Sequence, residues 1–333
     1  MSARRSKVSP SLADGLRRLE WTAVGRAAFI SAVAVALGSL FVVSYTLALG
    51  DPVPHRIDAG LVGDPAAHTG AVEALQGVAK DSLVFHPYGS TAVALHGIDV
   101  QHVYAALDLA SPRPTLYVAS AAGASVARVL ERVSTTDPRV RVVDTHPLSQ
   151  GDPNGVDLFY LMLVSTIVGF ISVFQVRANA GSLSLRQWSG FVAALAVCAG
   201  LVFALVDAAL HRVDVPVLET WGILALQIAA AASFASLASV VLGRWSIVPT
   251  WLFFVVLGNS SSGGAVAPPL LPRPFAIISQ WLPSGATVEA LRNAIYFGHY
   301  QHVQPVAVSA AWAFALFALM VGVSHWRGTS PGR

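Results

Sequence analysis

Few residues in this chain have the types and spacing of a reaction centre. "GNSSSGG" at 258–264 sets Ser260, Ser261 and Ser262 between glycines, faintly like the nucleophile of an intramembrane hydrolase. Such a serine needs a base within hydrogen-bond reach. None of the ten histidines falls in the middle of a long apolar run, and the G-x-S-x-G elbow is absent. His299 and His302 in "HYQH" share a helical face at i, i+3, but a zinc site wants three or four ligands, and no carboxylate or further histidine stands nearby in sequence. The plain reading is a pair of solvated interfacial histidines. The single cysteine, Cys198, rules out an intramolecular disulfide and a thiolate cluster.

Phosphate-binding signatures fare no better. "SAAGAS" at 120–125 lies between a strand-like and a helix-like run, yet it lacks the second and third glycines of a dinucleotide fingerprint and reads as a tight turn. A P-loop requires a lysine directly after glycine. The only two lysines are Lys7 in "RRSKVS" and Lys80 in "GVAKDS", and neither follows one. The sequence predicts no catalytic, cofactor or metal residues and no ATPase site of its own.

The elements that carry these residues are mostly apolar. Of 333 residues, 54% are hydrophobic and only 12% charged, with mean hydropathy +0.61; a soluble domain carries about a quarter charged residues. Six runs reach the length of about 20 residues that a bilayer core demands: 27–49, 156–176, 189–210, 220–242, 245–266 and 305–325. The first is longer than a signal-peptide core, and "TLALGDP" is a poor cleavage site, so it reads as a retained helix. Asp157, Asp207 and Glu219 lie near span ends, leaving Gln227 as the notable polar residue within a span; an ion-coupled carrier, which keeps ionisable groups at mid-membrane, is disfavoured.

The basic residues set an orientation. With the N-terminus inside, the cytoplasmic pieces hold Arg4, Arg5, Lys7, Arg17, Arg18, Arg26, Arg177, Arg186, Arg244, Arg327 and Arg333, whereas the short external loops hold Arg212, Arg273 and Arg292. Both termini are then cytoplasmic, with residues 1–26 as an amphipathic leading segment and 326–333 as a tail. The net charge of +3 belongs to the membrane part, since residues 50–155 carry more acids than bases, and no nucleic acid is implied as a partner. The excess of arginine over lysine suggests a bacterial, GC-rich coding sequence.

Residues 50–155 form the one large external piece, a compact α/β module with room for its own core. "TLYVA" at 115–119 and "RVRVVD" at 139–144 read as strands, and "AVEALQGVAKDSLVF" as a helix. In "GASVARVLERVS", Val126, Val129, Leu130 and Val133 fall on one helical face.

The chain breaks at "LGNSSSGGAVAPPLLPRPF", 257–275, between apolar runs. Gly263 and Gly264 permit tight turns. Pro268, Pro269, Pro272 and Pro274 end helices or set extended turns. "LPSGA", containing Pro283, supplies a second turn, and Glu289 and Arg292 at i, i+3 pair on the helix that follows. Residues 267–300 are too apolar for a free loop, so they read as a re-entrant pair of short helices covered by protein, because uncovered irregular backbone is not tolerated at membrane depth. The simpler alternative is an amphipathic anchor on the surface.

This order of elements resembles the permease subunits of type-2 ABC exporters, and within them the phage-infection-protein-like and related actinobacterial membrane proteins. The matching stretches are "HPLSQGDPNGVDLFYLMLV" (146–164), "GNSSSGG" with "PPLLPRPF", and "LPSGATVEALRNAIYF" before the last helix. The resemblance spans about 50–325. It implies an α-helical polytopic fold of six transmembrane helices, a re-entrant hairpin and an inserted extracytoplasmic α/β domain. It also implies a separate ABC ATPase subunit carrying the ATP, received on the loop 175–188 with Arg177, Ser182, Leu183 and Arg186. The hairpin residues Gly263, Gly264, Pro268, Pro269, Pro283, Glu289 and Arg292 would form an outer gate. Two such chains, or one and a similar permease, would surround the path, with the small residues of "AAAASFASLAS" (229–239) permitting close approach. The implied activity is export of a lipophilic or amphiphilic substrate through a bacterial cytoplasmic membrane, in contact with its lipids. The alternative is a non-transporting scaffold or surface receptor of the same topology.

Overall fold

The computed structural model describes residues 23–50, 52–210, 215–300 and 302–332. The leading segment up to residue 22, with Arg4, Arg5, Lys7, Arg17 and Arg18, lies outside the described residues, as do Arg212 and Arg333. The chain forms two compact units, Met1–Val42 and Val43–Arg333. The first holds most of helix α1, Ala23–Leu49. Val24, Phe29, Ile30, Val35 and Leu40 are all exposed there. A helix that is apolar all round needs lipid or protein against it.

The second unit combines an α/β module with a helical bundle. The module's sheet has the order β2-β1-β3-β4-β5, with β1 Ile57–Val62, β2 Leu83–Tyr88, β3 Ala105–Asp108, β4 Thr115–Val118 and β5 Arg141–Asp144. All pairings are parallel except β3 with β4. Helices α2 (Thr69–Val78), α3 (Thr91–Asp99) and α4 (Ala124–Glu131) connect the parallel strands. Alternation along the strands separates two cores. Ile57, Ala59, Ala105 and Leu107 pack with Leu75 of α2 and with Val126 and Leu130 of α4. Val62 and Ala106 face the other way, onto Ala94 and Ile98 of α3. Val133, expected on the same face as Val126 and Leu130, is fully buried with them.

The helix expected over 71–85 is shorter. It stops at Val78, because Lys80 and Asp81 adopt positive φ and the Asp81 amide returns to the Gln76 carbonyl at 2.9 Å, closing the helix end. The rest of that stretch is β2.

Among the described residues, five helical runs are long and apolar enough to cross a membrane: Val24–Leu49, Asp157–Asn179, Leu185–Leu210, Val217–Asn259 and Val303–Trp326. The chain is thus a multi-pass membrane protein with a small inserted α/β sheet region. Within the bundle, α5 (Asp157–Asn179), α6 (Leu185–Leu210) and α10 (Val303–Trp326) surround α7 (Val217–Leu242). Gly169 of α5 and Gly200 of α6 let the backbones close on α7, since a Cβ on either would lie 2.8 Å from Ala231 or 3.0 Å from Ala225. This corrects one expectation. The small residues 229–239 are consumed inside the chain: Ala230, Ala231, Ala232, Ser233, Ala235 and Ser236 are all fully buried, so that face is not open to a second subunit.

The run Val217–Asn259 is folded back on itself. Gly243 adopts φ +58 and breaks α7, and the chain returns through Gly243–Ser246, Ile247–Thr250 and the π-helical stretch Trp251–Asn259. Phe234 and Phe253, 19 residues apart, stack with centroids 4.9 Å apart, whereas a straight helix would separate them by about 28 Å. The returning arm was expected as a full span over 245–266. Its helix ends at Asn259, so Ile247–Asn259 reaches only about 20 Å.

After the glycine-proline stretch come α8 (Arg273–Ser279) and α9 (Pro283–Tyr296). α9 packs on α5, α7 and α10 and is buried along almost its whole length.

Candidate functional site

The glycine-proline stretch is stitched to the α/β module. Ala267 and Leu270 enter the core formed by α2 and α4. The Ala267 amide donates to Ser125 Oγ at 2.9 Å, and the His55 amide donates to the Pro269 carbonyl at 3.0 Å. Beyond α9, Phe297 is buried in the core on the other face of the sheet, where it stacks on His146 at 4.7 Å. Residues flanking α8 and α9 therefore complete both cores of the module. Gln101 Nε2 donates to Asn293 Oδ1 at 2.6 Å, and His302 Nε2 meets the Val100 carbonyl at 3.0 Å.

At the centre of this seam is Arg292, 6% exposed. Nη1 is paired with Glu289, and Nη2 donates to the Gly263 carbonyl at 3.1 Å. Gly263 has φ +75, and a Cβ there would meet Pro268 Cγ at 3.1 Å; a Cβ on Gly264 would lie 2.8 Å from Phe159 Cβ. Pro269 gives its carbonyl to the module, and Pro283 opens α9, where its missing amide leaves nothing unsatisfied. A cavity of about 20 Å³, room for one water, lies among Arg292, Gly264, Asp152 and Ser120. The expected hairpin residues are thus brought together, and they join the helices to the module rather than closing over them alone.

The three serines before the turn are spent on the backbone. Ser260, Ser261 and Ser262 donate to the carbonyls of Val256, Leu257 and Asn259 at 2.6, 2.6 and 2.9 Å, satisfying the end of the returning helix. Ser44 of α1 joins them, its Oγ lying 2.6 Å from Val256 O and 2.9 Å from Ser260 Oγ.

Between the module and α8 lies a groove of about 950 Å³. Asp58, His55, Arg56 and Tyr104 line its module side; Leu271, Arg273, Ala276 and Ile277 line the other; Glu289 of α9 lines it too. Asp58 is held by His86 Nε2 at 2.8 Å and by Arg56 at 3.3 Å. Burial pushes the Tyr104 hydroxyl well above its ordinary value, and the Glu289 carboxylate adds to the rise, so the groove meets a neutral phenol there.

At the other end of the bundle, the loop between α5 and α6 is ordered by its own chemistry. Ser184 and Gln187 form a reciprocal capping box at the start of α6, with Ser184 N to Gln187 Oε1 at 2.9 Å and Gln187 N to Ser184 Oγ at 3.4 Å. Ser182 and Arg186 are exposed and Leu183 is half-buried. Arg177 is turned away from the loop: its Nη1 donates to the Gly243 carbonyl at 2.9 Å. Arg327 Nη1 donates to the Val240 carbonyl at 2.9 Å, so two arginines satisfy carbonyls at and just past the end of α7. The tail returns to this end, where Gly332 lies against the Trp188 ring.

Sequence reasoning found Arg292, Glu289 and the glycine-proline residues, and missed Ser125, Gln101, Asn293 and Phe297. One local signal existed for Asn293, which falls at i+4 from Glu289 in an otherwise apolar helix. Compared with models of known families, with curated proteins and with solved structures, the chain matches none.

Proposed function

We propose that the chain is the membrane-spanning permease subunit of an ATP-driven exporter, moving a lipophilic or amphiphilic substrate out of a bacterial cell with energy from a separate ABC ATPase. In this reading the short returning arm counts as a fifth membrane segment and the run from Val303 as a sixth. Residues 50–155 lie outside, both termini lie inside, and α8 and α9 dip into the outer leaflet. The observation that carries it is the double attachment of the α9 segment: the helix is buried among α5, α7 and α10, while Leu270 and Phe297 on its flanks complete the two cores of the external module. A movement of the bundle helices would be passed to the module through rigid packing. Support at the opposite end comes from Arg177, Arg186, Arg244 and Arg327, which fit a cytoplasmic face. The exposed residues Ser182 and Arg186 there offer a docking loop.

One chain gives half of such a path, so a homodimer or a pair with a similar permease completes it. Its contact is made through faces other than 229–239, such as the exposed row Val197, Leu201 and Leu205 of α6. The test is ATP turnover by the cognate ATPase in nanodiscs, with and without this chain. Turnover that rises with the permease, and falls again in Arg186→Glu, supports the reading. A stable monomer that leaves turnover unchanged returns the chain to the scaffold or receptor reading.

A further inference from the structure

We infer that the groove between the α/β module and α8 is a binding site for an anionic, phosphate-headed lipid drawn from the outer leaflet. The charges within it are unequal in what they have left to offer. Both carboxylates are committed, Asp58 to His86 and Arg56, and Glu289 to Arg292. Arg273 lines the groove, is exposed, and forms no ion pair or hydrogen bond among the described residues. The uncompensated charge of the site is therefore positive, and His55 and Arg56 stand on the facing wall.

The two walls of the groove differ in polarity. The module wall is polar, whereas the α8 side adds the apolar Leu271, Ala276 and Ile277 to Arg273, Ser279 and Gln280. Ile277 is 63% exposed, and Trp281, four residues on and just past the end of α8, is 59% exposed, so two large apolar side chains stand open at this side. A free phosphate or a soluble anion would use the cation and leave those side chains wet. An amphiphile uses both, with its phosphate at Arg273 and its chain along Ile277 and Trp281. A tryptophan at this position is what a headgroup-level boundary selects. The lipid is a ligand of this chain whether or not it is the exported cargo; the choice of the outer leaflet rests on the proposed orientation, and the step from bound lipid to cargo on the export reading.

The test uses the full chain in phosphatidylcholine nanodiscs doped with a phosphatidylglycerol, or a chain-matched phosphatidylcholine, carrying a photoreactive acyl chain. Crosslinks are mapped by mass spectrometry over residues 273–281. The expected result is about fivefold more labelling of Ile277–Trp281 by the phosphatidylglycerol probe, the order of preference that one interfacial cation gives toward an anionic lipid. Arg273→Gln should bring the two probes to parity, and Arg273→Lys should keep most of the preference. Equal labelling in the unmodified protein means ordinary surrounding lipid and overturns the site, as does a preference that survives Arg273→Gln. No ATPase is present, so a failure here leaves the export reading standing. Loss of ATPase stimulation with the lipid preference intact would retire the export reading and leave the site.

Discussion

Arg292 donates from Nη2 to the main-chain carbonyl of Gly263, 3.1 Å away across 29 residues of chain. The bond ties the buried helix α9 to the left-handed turn that leads into the α/β module. Glu289, the other partner, is more than a third exposed on its side chain, whereas the Arg292 side chain is 7% exposed. The two ends of the pair are thus unequal. Removing Glu289 leaves an arginine that still has a carbonyl acceptor, while removing Arg292 leaves that carbonyl without its donor.

Stability should follow this inequality. Glu289→Gln is expected to cost well under 1 kcal/mol, as for a partly exposed ion pair. Arg292→Ala should cost about 2–3 kcal/mol, with a charged hydrogen bond lost in a buried place. The charge swap Glu289→Arg/Arg292→Glu restores the pair but sets a buried carboxylate against the Gly263 carbonyl, so it should be less stable than Glu289→Gln. Thermal unfolding in nanodiscs reads the order. A swap as stable as the unmodified protein would show that the Gly263 bond contributes nothing.

Gly285, in the first turn of α9, should be the least tolerant glycine among the described residues. A Cβ built on Gly285 would lie 1.9 Å from the Ser279 carbonyl oxygen, which no rotamer change relieves because the obstacle is backbone. Gly285→Ala should therefore separate α8 from α9 and lower stability by about 1–3 kcal/mol, the usual range for overpacking. Gly190, in the exposed first part of α6, has nothing within 4 Å of its Cβ position. Gly190→Ala should stabilise by up to about 1 kcal/mol through helix propensity. Equal effects at the two positions would contradict the close approach at Gly285.

What was legible in the sequence was local. The face Val126, Leu130, Val133 follows from helical period alone, and the charged interruption at Gly243–Arg244 marks the reversal after α7. Strands β1 and β3 were not legible. "IDAGLV" and "AALD" are short, built largely of small residues and covered on both sides, so they show no alternation of polar and apolar residues. The glycine-proline stretch was readable as a break, but not its destination. Ala267 and Leu270 fill a core whose other buried members all lie in the α/β module, at Val140 or earlier, and no periodicity encodes that pairing. The same limit hid the fate of 229–239: a run of small residues says that something approaches closely, and here it is α5, α6 and α10 of the same chain.

Gln227, 1% exposed, sits in a chain of hydrogen bonds that crosses three helices. Thr287 Oγ1 of α9 donates to Gln227 Oε1 at 3.0 Å, Gln227 Nε2 donates to Thr166 Oγ1 of α5 at 2.7 Å, and Thr166 Oγ1 passes on to the Met162 carbonyl at 2.9 Å. Gln227→Leu should cost about 1 kcal/mol, because interhelical hydrogen bonds within membranes are modest in strength. Combined with Thr166→Val it should cost less than the sum of the two changes, by at least about 0.5 kcal/mol. Full additivity in the double-mutant cycle would mean that the two side chains act independently.

The last prediction concerns which side each end of the bundle faces. Arg177 and Arg327 cap the carbonyls of Gly243 and Val240, and they share that end of the bundle with Arg244 and with the exposed loop residues Ser182 and Arg186. Basic residues in short loops are retained on the cytoplasmic side, so the proposed reading expects the loop inside and the α/β module outside. In a Cys198→Ser background, where no native thiol remains, a cysteine at the exposed Ser134 of the module should react with a membrane-impermeant maleimide in intact cells. A cysteine at Ser182 should react only after permeabilisation. Ser125 is a poorer choice for the module, since its hydroxyl holds the Ala267 amide and its replacement would disturb the seam being mapped. Labelling of Ser182→Cys in intact cells would invert the protein and leave a cytoplasmic ATPase no loop to dock on. The reverse pattern would place the lipid groove, with Arg273 and Ile277, on the outer face where the proposed ligand is found.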